Sequence, residues 1–349
     1  MSAPACATLG APASAVSAAT AVAANPAEPA VPHIALLLPL KSPVFAKVAD
    51  AVKQGFLAAA SNETEGLPIR VYPCNDESSE IVALYQHALA QGAVAVAGPL
   101  TRNGVAALAA NSQLMTPTLA LNVMEATRSD QLYFFGLPAE VEARQVALLA
   151  TSAGLLKATL VSTNTPLSKR LTQAFSEEWK RAGGIVQSEI TYVNDPALLK
   201  ELSLDPGNMV FMAAELDKAR LLRPYINTAL PVYSTSQIFS GNTNTLTNYD
   251  LADVRFVDMP WMVQPDHAAV MIYPRVTPAF EPDRERLYAL GIDAYRLLQV
   301  LLDHGMTDAL PLDGVTGQIS LSGHLFQREA TPAILKQGNG IAIERRSRP

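Results

Sequence analysis

From Ile34 onward, short apolar runs alternate with stretches whose apolar residues recur every three or four positions. This alternation predicts strand–helix–strand units in a mostly parallel sheet. Residues 34–38, Ile-Ala-Leu-Leu-Leu, read as a buried strand, and 39–43 as a loop. A helix is expected over 44–60, because Val44, Val48, Val52, Phe56 and Leu57 share one face. The unit repeats, with strands at 69–72, 93–97 and 118–121, helices at 80–91 and 103–112, and 133–136 as the exit from a first lobe.

A second series follows Pro138, with helices over 140–152 and 169–182, the latter stopped by Gly183-Gly184. Strands are predicted at 158–162, 185–193, 208–213, 231–235 and 254–259, with a helix over 217–229. The proline-punctuated stretch 265–282 reads as an irregular crossing loop. A helix over 284–304 then puts Leu287, Leu290, Ala294, Leu297, Leu298 and Leu301 on one face, and 315–321 with 324–328 reads as a hairpin about Ser322-Gly323. Two α/β lobes built from one chain that crosses between them more than once are therefore expected. The first would take 33–136 with about 262–312, the second 137–261 with about 313–343, leaving 1–32 as a leader and 344–349 as a tail.

Two such lobes enclose a cleft faced by the loops at the carboxyl ends of the strands. Its candidate lining is Leu40, Ser42, Gly98, Pro99, Leu100, Thr101 and Asn122 from the first lobe, with Thr163, Glu215, Ser234 and Ser236 from the second. Thr101 or Asn103 is placed to cap the helix after the Gly98-Pro99-Leu100 turn, where free N–H groups suit an anion or an ordinary cap alike. Glu215 and Asp217 suit an amine, or the dipole of the helix they begin.

Charge and composition narrow the partners. The 349 residues carry 26 basic against 32 acidic side chains, a net −6, and only 17% are charged, which speaks against a nucleic-acid surface. No run of about 18 strongly apolar residues offers a membrane span. Residues 1–32 are mostly Ala, Ser, Pro, Val and Thr with Glu28 as their one charge, a composition that does not fold by itself. No basic residue precedes Lys41, so an intact secretory signal is not visible. Cys6 follows Ala3-Pro4-Ala5, a faint likeness to a lipidation site, with an inert cysteine as the alternative. Cys74, at a strand end, reads as a half-buried structural thiol, and two cysteines without a spacing motif do not form a disulfide framework. The Arg345-Arg346-Ser347-Arg348 tail reads as a solvated end.

Catalytic motifs are missing from the chain. It has no phosphate-cradling Gly-x-x-x-x-Gly-Lys loop, and Gly338-Asn339-Gly340 lacks a third glycine and a following helix. The histidines at 33, 87, 267, 304 and 324 lack metal-ligand spacing, so no metal or cofactor is expected. Neither Gly-x-Ser-x-Gly nor Ser-x-x-Lys occurs, which leaves hydrolase and transpeptidase chemistry without a motif.

The layout of residues 34–40, Gly98-Pro99-Leu100, Leu119-Ala120-Leu121-Asn122 and Gly314-Val315-Thr316-Gly317 resembles the type I periplasmic binding-protein fold of the Leu/Ile/Val-binding relatives. Within it, Phe135-Gly136-Leu137, Ala174-Phe175 with Trp179, Met259-Pro260-Trp261 and Arg286-Leu287-Tyr288-Ala289-Leu290-Gly291-Ile292-Asp293-Ala294-Tyr295 resemble the LppC family, over about residues 33–343. That resemblance implies a non-enzymatic periplasmic domain, anchored at the outer membrane as a lipoprotein, that activates a class A penicillin-binding protein in peptidoglycan synthesis. Better-known members carry a helical-repeat domain ahead of this one, where residues 1–32 stand here. Amino-acid-binding relatives hold their ligand with hydroxyls after the Gly-Pro turn and after the next strand. Thr101 fits the first position, whereas Asn122-Val123-Met124 replaces the small residues of the second. A solute receptor of a transporter or sensor, binding an amino acid or another small polar ligand, is the alternative.

Overall fold

The computed structural model describes residues 30–110, 114–124, 129–303 and 309–344. Cys6, most of the expected leader, His304 and the arginine tail lie outside these residues.

The first series alternates β1 (His33–Leu38), α1 (Ala46–Ala60), β2 (Ile69–Pro73), α2 (Ser78–Ala90), β3 (Ala93–Ala97), α3 (Arg102–Ala110), β4 (Thr118–Ala120) and β5 (Leu132–Phe134). The second runs through α4 (Ala139–Ser152), β6 (Lys157–Thr163), α5 (Pro166–Arg181), β7 (Ile185–Tyr192), β8 (Asn208–Ala213), α6 (Leu216–Leu222), β9 (Val232–Tyr233), α7 (Thr245–Asn248) and β10 (Arg255–Asp258). One-turn helices α8 (Pro260–Val263) and α9 (Ala268–Met271) lead into α10 (Pro282–Leu302). The chain closes with β11 (Leu312–Asp313), β12 (Gln318–Ser322), β13 (Leu325–Glu329), β14 (Thr331–Lys336) and β15 (Asn339–Ala342).

These strands make two sheets, ordered β11-β12-β13-β5-β4-β3-β1-β2 and β15-β14-β10-β9-β8-β6-β7. Within each, the strands joined by helices pair in parallel, and the late hairpins add antiparallel edges. The hairpin β12–β13 was expected in the second lobe and belongs to the first sheet, where Leu325 pairs with Phe134. The chain then passes to the second sheet through Ala330 alone, and β14 pairs with β10 from Thr331 onward. Three crossovers thus join the lobes: β5 to α4, β10 to α10, and β13 to β14. Apart from these, the expected strand of 231–235 shrinks to Val232–Tyr233, and the helix of 217–229 ends at Leu222 before a 3-10 turn at Arg223–Tyr225, where Pro224 withholds an N–H.

The inner parallel strands are largely buried on both faces, which is why they read as apolar runs; every residue of β1 and of β8 is buried, whereas the edge strands β2 and β7 are mostly exposed or half-buried. Helix α10 packs lengthwise on α1 through two glycines. A Cβ on Gly291 would lie 2.1 Å from the Val52 carbonyl oxygen, and one on Gly55 would lie 1.9 Å from that of Tyr288. In the second lobe Phe175 stacks between Phe211, centroids 4.0 Å apart, and Trp179, at 5.4 Å. The Trp179 indole N–H donates to the Ile185 carbonyl at 3.1 Å. Cys74 is a free, fully buried thiol whose pKa burial pushes up, in keeping with a packing role. His33 is buried too, its Nε2 2.8 Å from the Tyr72 hydroxyl.

Candidate inter-lobe site

Where the carboxyl ends of the first sheet face the second lobe there is a cavity of about 560 Å³. The first lobe supplies Leu100, Thr101 and Asn122 from the loops after β3 and β4, Phe45 from just ahead of α1 and Val48 from α1 itself. Leu287 and Leu290 of α10 add to the same wall, while Pro138, Ala139 and Glu140 at the start of α4 and Arg170 of α5 lie opposite. The surface is largely apolar. Its main charged feature on the second lobe is an ion pair, Arg170 Nε to Glu140 Oε1 at 2.8 Å.

Of the expected lining, only Leu100, Thr101 and Asn122 border this cavity, and the polar two are already occupied. The Thr101 hydroxyl donates to Asp76 and accepts from the Gly104 N–H at 3.2 Å, the expected helix cap. The Asn122 amide donates to the Leu100 carbonyl at 3.0 Å, and its oxygen accepts from the Val123 N–H at 2.9 Å. Leu40 instead packs against the core, and the Ser42 hydroxyl accepts from the N–H groups of Val44 and Phe45, both at 3.3 Å, just ahead of α1. Gly98 and Pro99 are tied into the sheet, the Gly98 N–H donating to Leu119 and the Pro99 carbonyl accepting from Leu121.

The second-lobe candidates also lie off the cavity. Glu215 is held by hydroxyls, Thr165 at 2.7 Å and Thr163 at 3.4 Å. Ser234 is fully buried and donates to the Met212 carbonyl at 2.7 Å. Ser236 is buried as well, with its backbone at a set of charges that the sequence reading missed. Its N–H donates to Glu142 Oε2 at 3.1 Å, and its carbonyl accepts from Arg286 at 3.0 Å. Loop position alone carried those predictions; whether a loop hydroxyl points outward or back to its own sheet is set by packing.

Those charges sit at the crossovers. Arg286 of α10 clasps Asp258, at the end of β10, at 2.7 and 3.2 Å, and also bonds the Phe239 carbonyl at 3.0 Å. Arg328 of β13 meets Glu142 of α4 at 2.5 Å and donates to the Thr316 carbonyl at 3.1 Å. Burial holds the Asp258 carboxyl above its usual range although Arg286 opposes it. On Arg286 burial acts against the charge, yet the carboxylates of Asp258, Glu142 and Asp283 outweigh it and raise the pKa beyond the ordinary arginine value. Two turns along α10, Asp293 is fully buried and accepts from Val315 N–H at 3.1 Å, Thr316 N–H at 2.7 Å and the Thr316 hydroxyl at 2.6 Å. Burial lifts its carboxyl pKa as well, with Arg296 and these donors pulling the other way. The Arg286–Tyr295 motif thus has work for most of its residues: Arg286 and Asp293 bind the crossing chain, Leu287 and Leu290 face the cavity, Gly291 admits α1, and Tyr288 packs on Trp261, ring centroids 5.3 Å apart.

Among the described residues no cluster of three or more His, Cys, Asp or Glu side chains is arranged to hold a metal.

Comparison with known proteins places this architecture. The family model described as "LppC putative lipoprotein" matches residues 22–205 and 200–333. The penicillin-binding protein activator LpoA of Photobacterium profundum is 25% identical over 340 residues, covering 86% of this chain and 55% of its own length. LpoA of Vibrio cholerae is 27% identical over 337 residues, with 85% and 56% covered. The chain therefore spans about half the length of the curated relatives it matches. Among solved structures, a Chromobacterium violaceum protein described as a "putative branched-chain amino acid ABC transporter" is 35% identical with a TM-score of 0.76, over 87% of this chain and 100% of its own. The C-domain of Haemophilus influenzae LpoA, described as a regulator of PBP1A, shares the fold at 24% identity and a TM-score of 0.74, over 89% and 100%. The fold is the two-lobed α/β type expected from the resemblance to type I periplasmic binding proteins.

Proposed function

Because the chain belongs to the LppC family, we propose that it is a non-catalytic periplasmic regulator that docks on a class A penicillin-binding protein and raises its peptidoglycan synthesis. The observation that carries this reading is the family match across both lobes, together with relatives named as penicillin-binding protein activators. The cavity agrees with it, since Thr101 and Asn122 spend their side-chain hydrogen bonds within the protein. Anchoring at the outer membrane would run through a lipid on Cys6. No described helix is long and apolar enough to cross a membrane. The test is retention of the cognate synthase by the immobilised full chain, paired with a glycan-polymerisation assay. Retention and a faster rate are expected; the absence of both would overturn the reading.

A second reading, a receptor for an amino acid or another small polar solute, draws support from the 35% identical chain described as a "putative branched-chain amino acid ABC transporter". A thermal-shift screen of amino acids, muropeptide fragments and small amides separates the two, since a ligand at 100 times its Kd adds about 2.7 kcal/mol of stability. On this reading Thr101→Ala and Asn122→Ala each weaken binding. A flat screen removes it, and unchanged affinity in both variants moves the site out of this cavity.

A further inference from the structure

We infer that the two lobes are held at one fixed angle by a buried clamp of four charges laid across the crossovers. The pairs are Asp258–Arg286 and Glu142–Arg328, with side chains 0%, 8%, 5% and 4% exposed in that order. Each pair joins opposite lobes. Asp258 ends a strand of the second sheet, while Arg286 rides on α10, the partner of α1 in the first lobe. Arg328 belongs to a strand of the first sheet, while Glu142 projects from α4, which packs with α5 in the second lobe. Ser236 locks the pairs together by donating to Glu142 and accepting from Arg286.

The connecting backbone is pinned beside them. The Gln145 side chain donates to the Arg328 carbonyl at 2.9 Å and accepts from the Ala330 N–H at 3.1 Å, gripping both sides of the shortest crossover. Asp293 grips residues 315 and 316, and the Trp261 N–H donates to the Val315 carbonyl at 2.9 Å. A rotation of one lobe on the other would slide four elements past one another and part carboxylates from guanidinium groups where water cannot replace the lost bonds. Separating a buried pair is strongly unfavourable for that reason. The cleft accordingly keeps one width, and this holds whichever partner or solute the protein serves.

Spin labels at Lys47→Cys on α1 and Lys169→Cys on α5, both exposed, placed in the full chain with Cys6→Ser, read the inter-lobe distance by pulsed electron resonance. One narrow distance is expected, unmoved by an excess of leucine, isoleucine or valine. Glu142→Gln and Asp258→Asn should each add a second, longer distance. Where a single variant does not fold, the apolar replacement Glu142→Leu with Arg328→Met, which keeps the volume without the charges, supplies the reading. Two distances in the unmutated clamp, a shift on adding the amino acids, or an unchanged narrow distance in a cooperatively folding clamp variant would each overturn the inference.

Discussion

Replacing Gly291 by alanine tests one of the two glycine contacts through which α1 and α10 approach each other. The added Cβ would lie 2.1 Å from the Val52 carbonyl oxygen and 2.8 Å from the Phe56 nitrogen, where ordinary contact begins at 3.4 Å. Relief requires α1 and α10 to part by about 1.3 Å, because both opposing atoms are backbone. Overpacking costs about 1–3 kcal/mol, and two rigid backbones put this site near about 3. Alanine returns about 1 kcal/mol of helix propensity relative to glycine. The net loss is therefore about 2 kcal/mol. In urea denaturation with m of about 3 kcal/mol/M, the midpoint should fall by roughly 0.7 M with m unchanged. A variant as stable as the parent, or more so, would mean that propensity outweighs the clash and that the helices yield freely.

Asp293→Ala strips the acceptor from two buried N–H groups and a hydroxyl at residues 315 and 316, so a loss of about 3 kcal/mol is expected in the same assay, with Asp293→Asn losing less. Thr101→Ala removes the helix cap and should lower stability by about 1 kcal/mol. Asp253 is held below the usual carboxylate range chiefly by its hydrogen bond from Lys336. A depressed carboxyl stabilises the fold above the unfolded-state pKa of about 3.9 and loses that contribution as pH falls through the folded value. Asp253→Asn, tolerated at a φ of 65°, should therefore cost no more than about 1 kcal/mol at neutral pH for so exposed a pair, and nothing once the parent carboxyl is protonated. An equal deficit at both pH values would show that the charge is not the cause.

The strands with apolar runs and the helices with one apolar face were legible, because burial on two faces or one leaves a period in the sequence: β3 and β8 fall on the expected residues 93–97 and 208–213. The hairpin β14–β15 was not foreseen. Pro332 speaks against a strand, yet β15 is the edge and β14 lies inside it, with Gln337 and Gly338 at φ 50° and 77° closing a tight two-residue turn. Nor does periodicity say which sheet a late hairpin joins, since β12–β13 would alternate alike in either. At the cavity, Val48, Leu287 and Leu290 could not be told from core residues, because a helix face that borders a cleft and one that fills a core carry the same spacing. Nothing in the sequence distinguishes Glu142 and Arg328 from surface charges. Only the fold, by bringing residues 186 positions apart within 2.5 Å, shows them buried together.

The threading of the chain also governs how the molecule is made. The first sheet gains its last three strands from residues 312–329, after the whole central region of the second sheet has been laid down. On the ribosome, β5 therefore waits with an open edge while nearly two hundred further residues emerge, a long exposure for unpaired backbone. Neither lobe is a cassette that can be cut out and expressed by itself, and a chain interrupted before residue 329 leaves both unfinished.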